Sequence, residues 1–183
     1  VSRTLGLVDA LRGEGWEAGL FTGPRQPGVA AAEEESGGRA FHRAPGFVPG
    51  RMPPVLREWA EMAHATRRLM EVALRTRPTL LHAHSPGLGA LPALRVARAL
   101  GLPVIYEVRA FWEDAAVDQG RGREGGPRWR AIRALDTWLF RRVDAVGAIC
   151  EGLRADILAR GIAAERVRVL PNAVDVSRHG LLP

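Results

Sequence analysis

The chain is expected to fold as a doubly wound parallel α/β sheet with helices on both faces. From Thr79 onward, short apolar runs alternate with longer segments of helical period. The runs LLHAH, VIYEV and AVGAI are nearly continuously apolar, as strands covered on both faces require. Polar side chains stand directly after these runs, at the carboxyl edge where open α/β sheets bind ligands.

In order, Ser2 to Glu14 carries Leu5, Leu7, Val8 and Leu11 at the spacing of a short amphipathic helix ended by Gly13. Trp16 to Thr22 reads as a strand. A helix feeding a parallel strand normally follows another strand, so the alternation predicts one upstream of Val1. Gly23 to Gly38 is rich in Gly, Pro and small residues and holds the acid run Glu33 to Glu35. It lacks a hydrophobic period and is expected to be a mobile loop. Ala40 to Ala44 reads as a short strand, and PGFVPGRMPP as an irregular connection into a helix whose first position suits Pro54. Val55, Trp59, Met62, Thr66, Leu69 and Ala73 recur at spacings of four and three, a stripe expected to pack on the sheet. Arg57, Glu58, Glu61, Arg67, Arg68 and Glu71 then form the solvated face.

The second half repeats a shorter unit. Strands are predicted at Thr79 to His84, Pro103 to Arg109, Ala145 to Cys150 and Arg166 to Leu170, with helices at Leu88 to Leu100, Arg128 to Arg142 and Leu153 to Arg160. Glu113 to Pro127, rich in glycine, reads as a mobile loop.

With 183 residues, 46% of them hydrophobic, the chain can bury one real core, and residues 1–183 are expected to form a single domain. No run approaches the roughly 20 apolar residues needed to span a bilayer. Cys150 is the single cysteine; it fits a reducing cytoplasm and reads as a buried structural residue rather than a nucleophile. The formal charge is +6 and lysine is absent, so every cationic side chain besides histidine is a guanidinium. That balance favours anionic partners such as nucleotide phosphates and lipid headgroups. Arg121 to Asp144 concentrates it, with seven arginines against three acidic residues. Within it, Trp129, Ile132, Leu135, Trp138 and Leu139 recur at helical spacing beside Arg128, Arg130, Arg133, Arg141 and Arg142. Core packing with a solvated basic face is the first reading, and contact with an anionic membrane surface the second. No nucleic-acid partner is expected.

Candidate site residues follow the strands. His84 and Ser85 end one, Arg109 with Glu113 and Asp114 the next, then Glu151, then Asn172, four strand ends on one rim. In the turn after His84, Gly87 lets backbone amides approach an anion at a helix start, although a tight turn needs the same small residues. His82 and His84 share a strand face, but no third ligand has metal-site spacing, so no metal is expected. Arg109 ends a buried apolar strand and requires an anionic partner, supplied by Glu113 and Asp114 or by substrate.

At these residues the chain resembles a known family. HAHSPGLGALPALRVARALGLPVIYEVRAFWED, DAVGAICEGLRADILARGI and RVRVLPNAVDV are similar to the amino-terminal half of the group 1 glycosyltransferases, the retaining family-four enzymes of the two-domain GT-B fold. YEVRAFWED followed by AICEGLRADI is most similar to the branch associated with exosortase and exopolysaccharide gene clusters. The resemblance covers most of the chain from Pro78 onward, and more loosely Ser2 to Pro24. It implies a Rossmann-like amino-terminal domain in the cytoplasm, peripheral at the inner membrane. It also implies sugar transfer from a nucleotide-sugar donor to a glycan or polyprenyl-linked acceptor. The donor is a substrate, and neither cofactor nor essential metal is implied. Catalytic roles fall to Arg109 and His84, and substrate contacts to Ser85, Gly87, Glu113, Asp114, Glu151 and Asn172. A carboxy-terminal domain bearing paired glutamates is the implied partner, without which the chain is expected to be inactive. Many relatives carry histidine where Arg109 stands. Arginine does not release its proton at neutral pH, so Arg109 is expected to act by fixed electrostatics. The alternative, from a different class, is a stand-alone module that binds a glycan or lipid-linked ligand at the same rim. No GxGxxG turn follows any strand, which counts against a dinucleotide.

Overall fold

The computed structural model describes residues 2–24, 31–45 and 50–173. Helix α1 (Ser2–Gly13) is followed by strands β1 (Leu20–Thr22), β2 (Glu33–Ser36) and β3 (Arg39–Arg43) and the long helix α2 (Pro54–Thr76). Then come β4 (Leu81–His84), α3 (Gly87–Leu100), β5 (Val104–Val108), α4 (Trp112–Asp118), α5 (Pro127–Phe140), β6 (Ala145–Ala148), α6 (Glu151–Ala159) and β7 (Val167–Val169). The second-half alternation is therefore as predicted apart from the added α4, with boundaries such as His84, Leu100 and Ala145 coinciding and the others close to their predicted positions.

Strands β4, β5, β6 and β7 form a parallel sheet in that order, in the register that sets His84 beside Glu107 and Val108 beside Ala148. The two-residue strand period puts Val104, Tyr106 and Val108 on one face of β5, and Ile105, Glu107 and Arg109 on the other. The first face joins Ala90, Leu94 and Ala97 of α3, Leu139 and Phe140 of α5 and Ile157 of α6 in the core. Each large apolar side chain buried there contributes about 1.5–3 kcal/mol. Alanines on α3 let it lie close to the sheet. Gly101, in the left-handed conformation at φ 68°, ends the helix with its N–H on the Ala97 carbonyl.

The first three strands make a second sheet in the order β1-β3-β2, with β1 parallel and β2 antiparallel to β3. This corrects one expectation: Glu33–Ser36, predicted within a mobile loop, is an edge strand. All four of its residues are exposed, so no hydrophobic alternation marks it. Arginines from other elements compensate its acids: Glu34 pairs with Arg43 at 2.7 Å, and Glu33 with Arg68 at 3.2 Å and with Arg75. Residues 25–30 of the same predicted loop, and 46–49 of the connection to α2, lie outside the described residues.

Two further expectations change. The α2 stripe packs chiefly on α3, and it divides: Met62, Leu69 and Ala73 are buried while Val55 and Trp59 are exposed. Glu61, assigned to the solvated face, is buried and pairs with Arg57 at 3.4 Å. The stretch after Arg109, predicted as a mobile loop from Glu113, opens with helix α4. Its seven residues are too few to display a helical period, and the buried Glu113 side chain anchors it.

Candidate functional site

The site is built around a carboxylate that lies inside a strand rather than at its end. Glu107 is fully buried, yet it follows an apolar run on β5 and shares a face with Arg109. Its Oε1 accepts from Arg109 Nε at 2.9 Å and from Arg3 Nε at 2.9 Å. On β4, His82 Nε2 stands 3.4 Å from Oε2 and His84 Nδ1 3.6 Å from Oε1. A buried carboxylate is tolerated only when paired, and this one has two guanidiniums. Burial alone would raise its pKa; His82, His84, Arg3 and Arg109 outweigh that and hold it far below the ordinary carboxylate range.

Helix α1 completes the site from 100 residues away in sequence. Besides Glu107, Arg3 donates from Nη1 to the Pro171 carbonyl at 2.9 Å and from Nη2 to the Leu170 carbonyl at 2.7 Å. It thereby pins the segment that leads to Asn172. Thr4 Oγ1 accepts from Arg109 Nη2 at 2.9 Å. Farther along α1, Asp9 pairs with Arg39 of β3, and Arg12 reaches the Gly38 and Ala18 carbonyls. One helix thus ties the two sheets together.

Arg109 is the most constrained side chain of the rim. Its backbone N–H donates to Ser85 Oγ at 3.1 Å and its Nη2 also to His84 Nδ1 at 3.0 Å. Because guanidinium can only donate, His84 Nδ1 is the unprotonated nitrogen and Nε2 carries the proton. Burial lowers the His84 pKa, and the charges of His82 and Arg109 act in the same direction against Glu107. His84 is therefore a neutral hydrogen-bond donor, and Arg109 a fixed cation. With one carboxylate against two guanidiniums, the cluster carries an excess positive charge suited to an anionic or strongly polar ligand.

His82, His84 and Glu107 also bring three ligand atoms within 4.8 Å of one another, a grouping compact enough for a metal ion. Sequence spacing missed the third ligand because it sits on the neighbouring strand. Both guanidiniums occupy Glu107 Oε1 and Arg109 takes the His84 lone pair, whereas Glu107 Oε2 and His82 Nε2, 3.4 Å apart, are buried without a hydrogen-bond partner among the described residues.

The other predicted residues divide. Ser85 joins the cluster through Arg109. Glu113 and Asp114, expected to partner Arg109, do not reach it. Glu113 is buried and pairs with Arg160 at 2.9 Å, while Asp114 accepts from Trp129 Nε1 at 2.8 Å. Arg160 also lies over the Phe111 ring, and the neighbouring Tyr106 hydroxyl donates to Asp136 Oδ1 at 3.1 Å. These groups form a second buried polar cluster behind the rim. Gly87 is buried against it: a Cβ there would meet Asp136 Oδ1 at 2.3 Å. Its glycine thus lets α3 approach α5. Glu151, at the start of α6, is exposed and 3.5 Å from Arg154. Asn172 is exposed beyond β7. Cys150, predicted to be buried, is exposed. Of the PNAVD motif, Val174 and Asp175 lie outside the described residues.

With this geometry in hand, comparison with known proteins decides the family. A model of Glycosyltransferase Family 4 matches residues 1–178. The chain belongs to glycosyltransferase family 4. No curated protein matches it. Among solved structures, one of sucrose-phosphate synthase from Thermosynechococcus elongatus superposes with a TM-score of 0.63 and 15% identity, over 96% of this chain and 86% of that one. A second structure of that enzyme gives a TM-score of 0.69 at 15% identity, over 94% of this chain. The family-4 chain spans only 42% of that longer structure. At such identity the likeness speaks for the fold, the Rossmann-like amino-terminal domain of GT-B glycosyltransferases, and so agrees with the expected fold class. No helix among the described residues is long and apolar enough to cross a membrane.

Proposed function

We propose that this family-4 domain is the acceptor-side half of a retaining hexosyltransferase that moves a sugar from a nucleotide-sugar donor to a glycan or polyprenyl-linked acceptor in exopolysaccharide synthesis. The observation that carries the reading is Arg109, which Glu107 holds at 2.9 Å and which donates to His84 Nδ1 at 3.0 Å, at the carboxyl ends of β4 and β5. In the transfer, the anomeric carbon leaves a diphosphate oxygen and bonds to the acceptor oxygen, negative charge builds on the departing diphosphate, and that diphosphate takes up the acceptor's hydroxyl proton. Arg109 supplies fixed positive charge to that event, and His84 supplies an Nε2–H donor to a sugar or acceptor oxygen. Neither acts as a base.

Ser85 orients Arg109 through its backbone, and Asn172 lies beside the segment that Arg3 anchors. Gly87, Glu113 and Asp114 support the rim from behind, and Glu151 stands at the start of α6. A second, carboxy-terminal domain closes the cleft and grips the nucleotide; no cofactor or metal is required. A polyprenyl-linked acceptor locates the work at the cytoplasmic surface of the inner membrane.

The test is transfer by the full-length protein from a panel of nucleotide sugars to membrane-extracted acceptors. Arg109→Ala is expected to lower kcat/KM at least about 100-fold, the usual cost of removing a transition-state donor. His84→Ala is expected to lower it by a smaller factor, since its hydrogen bond is neutral. Wild-type turnover in both variants would remove the two residues from the site.

A further inference from the structure

We propose that the exposed face of α5 docks on an anionic phospholipid bilayer. Helical period builds the face: Leu139 and Phe140 turn inward and are fully buried, and Leu135 packs against the core. At about 3.6 residues per turn, Trp129 and Trp138 fall half a turn apart, with Arg130 and Arg141 between them. These four side chains help line one open groove of about 450 Å³. Trp138 is 40% exposed, and the Arg142 guanidinium lies 4.0 Å above its ring.

The charge on this face is uncompensated. Arg130, Arg141 and Arg142 are exposed and form no ion pair among the described residues. The single acid of α5, Asp136, is buried and faces the other way, against Tyr106. Tryptophan rings carry an apolar body with a polar N–H and favour the depth of lipid headgroups, while guanidiniums pair with phosphates just above them. Cations spread along the whole helix, rather than focused on one point, match a plane of phosphates. The face also adjoins the rim. The Trp129 to Asp114 hydrogen bond ties α5 to α4, which begins three residues after Arg109 and carries the exposed Trp112. This inference deepens the membrane location proposed above, yet it is tested without turnover, so the two can fail separately.

The experiment is co-sedimentation of the chain at physiological salt with vesicles of phosphatidylglycerol and phosphatidylcholine, and with phosphatidylcholine alone. The chain is expected to bind the mixed vesicles and not the neutral ones. Arg141→Gln with Arg142→Gln should weaken partitioning about 25-fold, about fivefold per arginine near the surface. Arg67→Gln with Arg98→Gln, exposed positions on α2 and α3, removes the same charge elsewhere and should change binding less than about twofold. Brominated lipid should quench tryptophan fluorescence, and Trp138→Phe should remove much of that quenching. Undiminished binding by the 141/142 variant, or equal loss in the control, would overturn the proposal. So would indifference to anionic vesicles combined with retention of a DNA duplex.

Discussion

Replacing Glu107 with glutamine keeps the side chain's shape and removes one charge. The carboxylate is fully buried and accepts from Arg3 and Arg109 at 2.9 Å each. Neutralising one partner of a buried ion pair costs about 3–5 kcal/mol when the other charge stays buried. Here the guanidinium side chains keep 21% and 27% exposure, and glutamine retains one acceptor oxygen, so the expected loss falls to about 2 kcal/mol. With a urea slope of about 2 kcal/mol per molar, the unfolding midpoint at pH 7 should drop by about 1 M. The pH dependence gives an independent check. Glu107 has a folded pKa below its unfolded value of about 4.3, so its stabilisation is fully present above that value and is lost as pH falls. Wild type and Glu107→Gln should therefore differ by the full amount above about pH 5.5, and the difference should shrink progressively as pH falls below about 4. A midpoint shift under about 0.2 M at pH 7, or one that stays constant down to about pH 3, would refute the view of Glu107 as the site's organising charge.

Gly87→Ala sets a methyl group 2.3 Å from Asp136 Oδ1 and 2.9 Å from Leu139 Cδ1, so these buried side chains, or α5 with them, must shift. The expected cost is about 2 kcal/mol, read calorimetrically as a Tm lower by about 4–8 °C; an unchanged Tm would contradict the close approach. Asp136 has the opposite pH sign to Glu107. Burial, then the charge of Glu113, push its carboxyl up to about 6, so the ionised form destabilises the fold above that pH. Asp136→Asn should be more stable than wild type by about 2 kcal/mol above about pH 7, with the gap closing between about pH 6 and 4. Denaturation curves in which the gap widens on acidification would show that Asp136 is stabilised as the anion.

Much of the fold was legible because strands and helices are written in local periods. The continuous apolar runs of β4, β5 and β6, the stripe of α2 and the polar strand ends at His84, Ser85 and Arg109 need only neighbouring residues to be recognised. Where the local signal was weak, the reading missed. Strand β2 is exposed on both faces, and α4 spans seven residues, so neither presents a hydrophobic period. Glu113 and Asp114 follow Arg109 closely in sequence, but helix α4 turns the former to Arg160 and gives the latter to Trp129.

Sequence by itself thus determined the parallel alternation, the rim on which function was sought, and the requirement that Arg109 meet an anion. Only tertiary structure decided which anion. Burying a carboxylate depends on partners gathered from residues 3, 82, 84 and 109, and no local pattern encodes that meeting. The clue available in advance was the alternation of VIYEVR, which sets Glu107 and Arg109 on the same face of one strand. Tertiary structure likewise chose which side of α5 faces the core. Leu139 and Phe140 fill it, and that orientation turns Trp138 and the arginines outward.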